Sequence, residues 1–502
     1  MIKEIHNFLK NILIDTEFNG KTYFVGGCVR DFYRDSPAHD IDIVVELENG
    51  SYKLAHYIFE FIKNIKPAEY LNIITTPYQL GHYPIYSITF KDNFEYNNVF
   101  YTLKDCVIEI ADTMSEEFPD ENSRQREVKF NSLIADIFRR DFSINSGLID
   151  VVNFRFLNLT EQNILKDIEH GIIRCNKNDI EFIDNIFIQD PLRILRGIVF
   201  SARFNFIIDP IVKERMKANI HRLAIVSRER INAEIKKALN VQNGVYMLVK
   251  LLDEINGLDI VFPKLTDLKL IYQWNKNNDG TFSPDIRKIH MEGKTVFEHT
   301  MAVLRFAKPG FINGLSAIYH DIGKINPEYK NGKVRFIHHE KIGAKILKDL
   351  LPKLKIDNNS INDVIFLVNN HMKLHLLPDL SKKSLRRFIR EIPSNELRFA
   401  LYDLCNADCL GTVQEIDGIL TSGKPHYVPI ALIENLIKED SIVVEKPFRY
   451  FNGNELMEMF NIKGKQVGEA IKIMLKIQDE YGFNQTKDFI AKKIKSRLQL
   501  NK

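Results

Sequence analysis

The sequence predicts a mixed α/β domain followed by a long, mostly helical remainder, and three observations carry that reading. Between about residues 22 and 150, short β-rich runs (TYFVGG, IDIVVE, YPIYSITF, CVIEIADT) alternate with helical stretches such as SYKLAHYIFEFIKN. From about residue 160 strand signals become rare, and amphipathic patterns such as DPLRILRGIVFSARF and SRERINAEIKKALNVQ dominate. The composition, 45% hydrophobic and 27% charged over 502 residues, is that of a globular chain with room for three or four units.

Taken in order, the first segment, MIKEIHNFLKNILIDTEF, carries charges throughout and reads as an amphipathic helix, not a signal peptide. No run of 18 apolar residues exists, so nothing is expected to span a membrane. The five cysteines (Cys28, Cys106, Cys175, Cys405, Cys409) are scattered and lack a CxxC pair, which points to free thiols and a cytoplasmic protein. The net charge of +3 excludes a chain that is basic throughout, and any basic surface must be local. EEFPDENSRQREVKF (116–130) reads as a charged surface loop, and NKNNDGTFSPDIRKIHMEGK (275–294) as a linker between two helical blocks.

Two constellations carry chemistry. In YFVGGCVRD, Gly26 and Gly27 follow an apolar strand and open a helix, a turn whose amides can point at phosphate. In HDIDIVVE, Asp40 and Asp42 alternate with apolar residues, so at period two both carboxylates face one side of a strand. A bare Asp-x-Asp is most often a solvated edge strand; the glycine turn close before it favours paired Mg²⁺ ions on a nucleoside triphosphate. One ion would activate a hydroxyl and the other would stabilise leaving pyrophosphate. Glu109, mid-strand in CVIEIADT, is the candidate third acid, with Asp112 its competitor. Arg139, Arg140 and Asp141 in FRRDFSIN read either as a surface ion pair or as a base and ribose contact.

GGCVRD, HDIDIVVE, FRRDFSIN, IEHGIIRC, IQDPLRILRGIVFSARFNF and VSRERINAEIKKAL follow one another as in the class II tRNA nucleotidyltransferases and bacterial poly(A) polymerases, and the chain resembles that family over roughly residues 20–240. The resemblance implies a catalytic head with Asp40 and Asp42 as Mg²⁺ ligands. It places the triphosphate on Gly26, Gly27, Arg30 and Asp31, and the sugar on Arg140 and Asp141. It also implies a base-selecting motif, usually Glu-Asp-x-x-Arg. Here that motif reads Gln189, Asp190, Pro191, Leu192 and Arg193, and its Gln removes a charge that would orient Arg193. Asp190 and Arg193, three apart on a helix expected near Pro191, would present acceptor and donor groups to one base, or form an i,i+3 ion pair.

The second constellation lies in the helical block. His299, His320, Asp321 and Asp408 sit in separate predicted segments, and the His-Asp-x-Gly-Lys run resembles the HD superfamily. There four such side chains converge on a metal for phosphohydrolysis, with ligation that suits Mn, Ni, Fe or Co. His339 and His371 fall where two-metal HD proteins place further ligands, whereas His338 and His375 read as surface residues. The implied division is a nucleotidyltransferase head (1–152), a neck with the base-selecting motif (153–240), a body and linker (241–294), an HD domain (295–425) and a helical tail (426–502). The implied reaction is addition of C, A or both from CTP and ATP to the 3′ end of tRNA by a monomer or homodimer, with no DNA and no membrane partner. A poly(A) polymerase and an RNA-binding HD phosphohydrolase are the alternatives. SKKSLRRFIRE and DFIAKKIKSRLQLNK are candidate grips on the RNA backbone, or solvated faces.

Overall fold

The structure is a computed structural model and describes residues 1–37, 40–81, 83–117, 127–273, 275–276, 282–283, 289–290, 295–377, 380–416, 419–422, 425, 427–440 and 449–498. Two compact units make up the chain, residues 1–238 with 251–260, and residues 239–250 with 261–502.

The first unit opens with helix α1 (Ile2–Leu13), strand β1 (Thr22–Val25), helix α2 (Gly27–Tyr33), strand β2 (Asp40–Val45) and helix α3 (Gly50–Ile65). A short helix α4 (Tyr70–Ile73) leads to β3 (Tyr78–Gln79), β4 (Ile85–Thr89), a hairpin of β5 (Phe94–Tyr96) and β6 (Val99–Tyr101), and β7 (Val107–Asp112). Next come a hairpin of β8 (Met114–Glu117) and β9 (Glu127–Phe130), helix α5 (Leu133–Phe138), β10 (Leu148–Asp150) and β11 (Phe156–Leu157). The four long β-rich runs of the sequence are thus β1, β2, β4 and β7. The charged loop expected over 116–130 is paired at both ends as β8 and β9, and its middle lies outside the described residues.

A seven-stranded sheet in the order β11-β10-β1-β2-β7-β4-β3 forms the frame, antiparallel except where β2 runs parallel to β7. Alternation sorts its two faces. Phe24, Ile41, Ile43, Ile88, Ile108 and Ile110 share one core with Phe8 and Leu9 of α1 and Leu54 and Ile58 of α3. Tyr23, Val25, Val44 and Leu148 pack on the other face against Leu133 and Ile137 of α5. That second face is only partly covered, and it carries Asp40, Asp42 and Glu109.

The neck adds helices α6 (Ile164–His170), α7 (Ile180–Gln189), α8 (Leu192–Phe204), α9 (Pro210–Asn219) and α10 (Arg228–Leu239), with β12 (Ile172–Ile173) pairing in parallel with β13 (Ile207–Ile208). Asp179 caps α7 and Asp209 caps α9, each side chain accepting from a first-turn amide. Gly197 permits close packing of α8: a Cβ there would lie 2.3 Å from Met216 Cε and 2.8 Å from Phe142 Cζ.

Helices α11 (Gly244–Glu254) and α12 (Leu258–Val261) precede the second unit's main bundle. That bundle is built from α13 (Val296–Leu304), α14 (Phe311–Tyr319), α15 (His339–Leu350), α16 (Asn358–Asn370), the short α17 (Lys373–Leu376), α18 (Lys382–Glu391) and α19 (Asn395–Leu410). A capping box of Thr295 and Glu298 starts α13. The tail comprises α20 (Tyr427–Glu439), α21 (Gly453–Phe460), α22 (Lys465–Tyr481) and α23 (Lys487–Arg497), the last three closing on Leu456, Met474, Ile477, Ile490 and Ile494.

SKKSLRRFIRE has several basic side chains that the structure engages with acids. Its basic side chains on α18 pair with acids of α20, α22 and the segment after α20: Lys382 with Glu439 (3.1 Å), Lys383 with Glu480 (2.7 Å), Arg386 with Asp440 (2.7 Å) and Arg390 with Asp479 (2.8 Å). The Arg386 and Arg390 pairs are nearly buried, so these charges join tail to bundle. In α23, Lys487 and Arg497 pair with Glu455 and Glu480, while Lys492 and Lys495 stay exposed.

Candidate active site and candidate metal centre

In the head, strand register brings the acids together. Asp42 stands directly beside Glu109 across the parallel β2–β7 pair, and Asp40 lies two residues before Asp42 on the same face. Asp112, the competitor for the third acid, is buried and accepts from the Ser51 amide at 2.6 Å. Burial raises Asp42 to about 6; Arg140 opposes that rise, and Glu109 and Asp40 add to it. Glu109 is raised by burial and by Asp40. Three acids crowded this way form a donor set that fits hard divalent cations, whose charge would offset their repulsion.

Beside Asp42 the backbone turns at Gly26, whose φ of +76° favours glycine, and a Cβ there would lie 3.0 Å from Asp42 Oδ2. A cavity of about 420 Å³ opens next to this turn and is lined by Gly26, Gly27, Arg30, Asp42, residues 139–141, Asn145, Asp190, Arg193, Arg196 and Arg230, among others. Its rim holds more guanidinium than carboxylate groups, which suits a polyphosphate.

An ion network orders those arginines. Asp136, fully buried, accepts from Arg139 (2.7 Å) on one oxygen and from Arg140 (2.8 Å) on the other. Burial alone would raise its carboxyl, but the two guanidiniums hold it below the ordinary range. Asp141 receives Arg196 Nε at 2.7 Å on one oxygen, and the Phe142 amide and Asn145 on the other. Asn145 in turn accepts from Arg30 at 2.7 Å. Asp31 does not line the cavity: its carboxylate grips Arg30 through two bonds of 2.9 Å. Asp31 thus stands one residue back from the cavity, behind Arg30. Asp136 was missed in the sequence, although its i,i+3 and i,i+4 spacing to Arg139 and Arg140 was there to be seen. Replacing it with Ala leaves two partly buried guanidiniums without their acid and is expected to cost about 3 kcal/mol in urea unfolding.

Helix α8 begins where expected, at Leu192 after Pro191, but Asp190 stands before it. Asp190 accepts from the Leu192 amide (3.2 Å) and from Arg230 (2.8 Å) of α10. Arg193 is buried and donates to the carbonyls of Arg139 (2.5 Å) and Ile186 (3.1 Å), with Gln189 Oε1 at 3.5 Å. Both residues line the same cavity. Backbone carbonyls fix Arg193 where an acid at position 189 was thought necessary.

In the second unit, six side chains meet in two buried triads. His299, His320 and Asp408 form one, and Asp321, His339 and His371 the other, with the ligand atoms of each within 4.8 Å of one another. Asp321 belongs to both by distance: Oδ2 lies 3.3 Å from His320 Nε2 and 3.5 Å from His299 Nε2, while Oδ1 lies 3.4 Å from His339 Nε2 and 3.9 Å from His371 Nε2. Burial alone would raise Asp321, but Lys324, His320 and His339 hold it well below the carboxylate range. Asp408 is held low likewise by His299 and His375. Burial lowers His371 to about 4 and lowers His339, so both imidazoles are neutral near pH 7 and suited to ligation.

Local geometry explains the convergence. His320 ends α14 and donates from Nδ1 to the Ala317 carbonyl (2.9 Å); likewise His339 Nδ1 donates to the Phe336 carbonyl and His371 Nδ1 to the Val368 carbonyl. Each leaves Nε2 for the centre. Gly323 lets the start of α15 approach, since a Cβ there would lie 1.9 Å from the His339 carbonyl oxygen. His338 is exposed as expected. His375 is exposed too, and its Nε2 lies 3.8 Å from Asp408 Oδ2. Lys324 Nζ bonds Asp321 Oδ2 at 2.6 Å, a contact the sequence did not announce.

Comparison with known proteins identifies these parts. Residues 22–174 match the poly A polymerase head domain, 205–269 the probable RNA and SrmB-binding site of polymerase A, and 296–417 the HD domain. The chain therefore joins a segment that matches a poly A polymerase head domain to one that matches an HD domain. Its sequence is similar to those of CCA-adding enzymes: it is 31% identical to that of Staphylococcus haemolyticus over 272 residues, 53% of this chain and 58% of the other. It is 25% identical to the mitochondrial CCA tRNA nucleotidyltransferase of Saccharomyces cerevisiae over 355 residues, 70% and 60% of the two chains. The chain spans about half the length of the first curated relatives it matches.

The fold is that of solved CCA-adding enzymes along nearly its whole length. The Bacillus stearothermophilus enzyme in complex with CTP superposes with a TM-score of 0.58 at 15% identity, covering 95% of this chain and 94% of the other. The Thermotoga maritima enzyme complexed with tRNA superposes with a TM-score of 0.56 at 17% identity, covering 99% and 98%. Among the described residues no helix is long and apolar enough to cross a membrane.

Proposed function

We propose that this chain adds C and A to the 3′ end of tRNA, taking CTP and ATP into the head cavity and releasing pyrophosphate. The observation that carries the reading is one sheet face on which Asp40, Asp42 and Glu109 crowd beside a glycine turn and an arginine-lined cavity. Asp40, Asp42 and Glu109 would hold two Mg²⁺ ions, which when bound supply activation of the attacking hydroxyl and stabilisation of the leaving pyrophosphate. The amides at Gly26 and Gly27 and the guanidinium of Arg30 bind the triphosphate, and Asp31 and Asn145 orient that guanidinium. Arg140 and Asp141 meet the sugar. Asp190 accepts from the exocyclic amine that C and A share, and Arg193 donates to the base while its backbone bonds hold it, which supports tolerance of Gln189. The acceptor is gripped through backbone shape by local basic groups. The protein works in the cytoplasm as a monomer or homodimer, with the head, neck, body, HD and tail boundaries set out above.

A second reading concerns the HD domain: a two-metal phosphohydrolase acting on phosphodiesters or RNA 3′ ends. The specific observation is Asp321 standing between two complete triads whose donor sets fit Mn, Ni, Fe or Co.

The test of the first reading is incubation with tRNAs ending before CCA, after C and after CC, with CTP, ATP or both and Mg²⁺, resolved by single nucleotides. Addition that stops at CCA is the expected result. Long A tails would move the chain to the polymerase branch, and no incorporation on any acceptor would sink the transferase reading.

A further inference from the structure

The row of residues that crosses the catalytic face does not stop at the acids. Successive registers align Tyr78 with Ser87, Ser87 with Glu109 and Glu109 with Asp42, so these four side chains stand on one face across β3, β4, β7 and β2. Tyr78 lies at the sheet's edge, three strand spacings of about 4.8 Å, or about 14 Å, from Asp42. It is 50% exposed, and its side chain makes no hydrogen bond, ion pair or ring contact among the described residues. Between it and Glu109 the row holds only the small side chain of Ser87. The tyrosines on the opposite face behave differently, since Tyr86 packs edge-on against Tyr52 and His56.

Which side of the acids the acceptor uses follows from the chemistry. The glycine turn, Arg30 and the cavity all lie on the β1 side of Asp42, so the triphosphate and its leaving pyrophosphate occupy that side. In-line displacement at the α-phosphate needs the attacking hydroxyl opposite the leaving group. The hydroxyl must therefore arrive from the β7, β4 and β3 side, along the row that ends at Tyr78. An exposed phenol ring at that edge is a stacking platform for a base, tolerant of base identity because every base presents a π-face.

We infer that Tyr78 is a positioning residue for the acceptor, stacking a base at the 3′ end of the RNA so that its terminal hydroxyl lies over Asp42 and Glu109. The inference rests on the transferase reading given above. The experiment is steady-state incorporation on a tRNA ending in CC with the full chain and its Tyr78→Ala, Tyr78→Leu and Tyr78→Phe variants. The expected result is an acceptor KM raised about tenfold in the Ala and Leu variants. In both, the KM for ATP stays unchanged, and Tyr78→Phe behaves as the parent. Leu keeps apolar bulk without the ring, so a fold defect and a stacking loss are told apart. An unchanged acceptor KM in Tyr78→Leu, or an equal rise in the KM for ATP, would overturn the inference while the transferase reading stands. No incorporation by the parent protein overturns both.

Discussion

Asp42→Asn is expected to abolish nucleotide incorporation while making the metal-free protein more stable at pH 7.5, a pairing that few substitutions produce. The loss of activity follows from position. Asp42 is the one acid of the three that both lines the nucleotide cavity and faces Glu109 in register. On the proposed transferase reading, removing its charge would take away a shared metal ligand at the reacting phosphate, an electrostatic contribution of several kcal/mol, so incorporation should fall at least about a thousandfold. The gain in stability follows from linkage. Burial, reinforced by Glu109 and Asp40, raises the carboxyl from 3.8 to about 6. A carboxyl raised on folding contributes stability that is fully present below its ordinary value and is lost as pH rises through about 6. At pH 7.5 the ionised group therefore opposes folding by up to about 3 kcal/mol, which Asn relieves. Thermal unfolding in EDTA should show a higher Tm for the variant at pH 7.5, a difference about half as large at pH 5, and little difference only below the ordinary carboxyl value of 3.8. Mg²⁺ should raise the Tm of the parent at pH 7.5 and scarcely move the variant. An equal or lower Tm for the variant in EDTA would mean that burial beside Glu109 and Asp40 does not raise the Asp42 carboxyl in the folded head.

The second large effect is expected at Asp321. Its two oxygens face different triads, so Asp321→Ala should remove both metal ions at once, whereas His371→Ala and Asp408→Ala should each remove one. Metal content after loading with Mn²⁺ and desalting would read about two ions per chain in the parent, about one in each single-triad variant and close to none in Asp321→Ala. Hydrolysis of bis(p-nitrophenyl) phosphate should follow the same order. Incorporation on tRNA by the head should persist in Asp321→Ala, since the head's acids lie in the other unit. Retention of one ion by Asp321→Ala would show that the carboxylate serves a single triad. A loss of incorporation there would tie the two chemistries together.

How much of this was legible in the sequence varies from residue to residue. Period-two alternation placed Asp40 and Asp42 on one face, and the mid-strand position of Glu109 marked it as their partner; both rest on the geometry of an extended chain, which is local. The His-Asp-x-Gly-Lys run and the scattered histidines marked the second centre through their resemblance to the HD superfamily. Asp190 and Arg193 were expected to face one base, and both line the cavity; what the sequence did not show is that Asp190 precedes the helix and that long-range partners hold each side chain. The basic run on α18 read as a surface grip because its acidic partners lie about 50 to 100 residues further along the chain.

By itself the sequence determined the order of the parts, a mixed α/β head before helical neck, bundle and tail, and the inventory of groups able to bind phosphate and metal. Those follow from periodicity and residue chemistry, which any short window of chain displays. Only the tertiary structure decided which of those groups share a site. Strand register set Glu109 beside Asp42 and carried the row on to Tyr78. Helix packing at Gly323 brought His339 to Asp321, and Asp136 turned two arginines toward the cavity. Each of these depends on contacts between elements distant in sequence or on the direction a side chain takes once buried. Neither quantity is written in the local pattern from which the elements themselves are read.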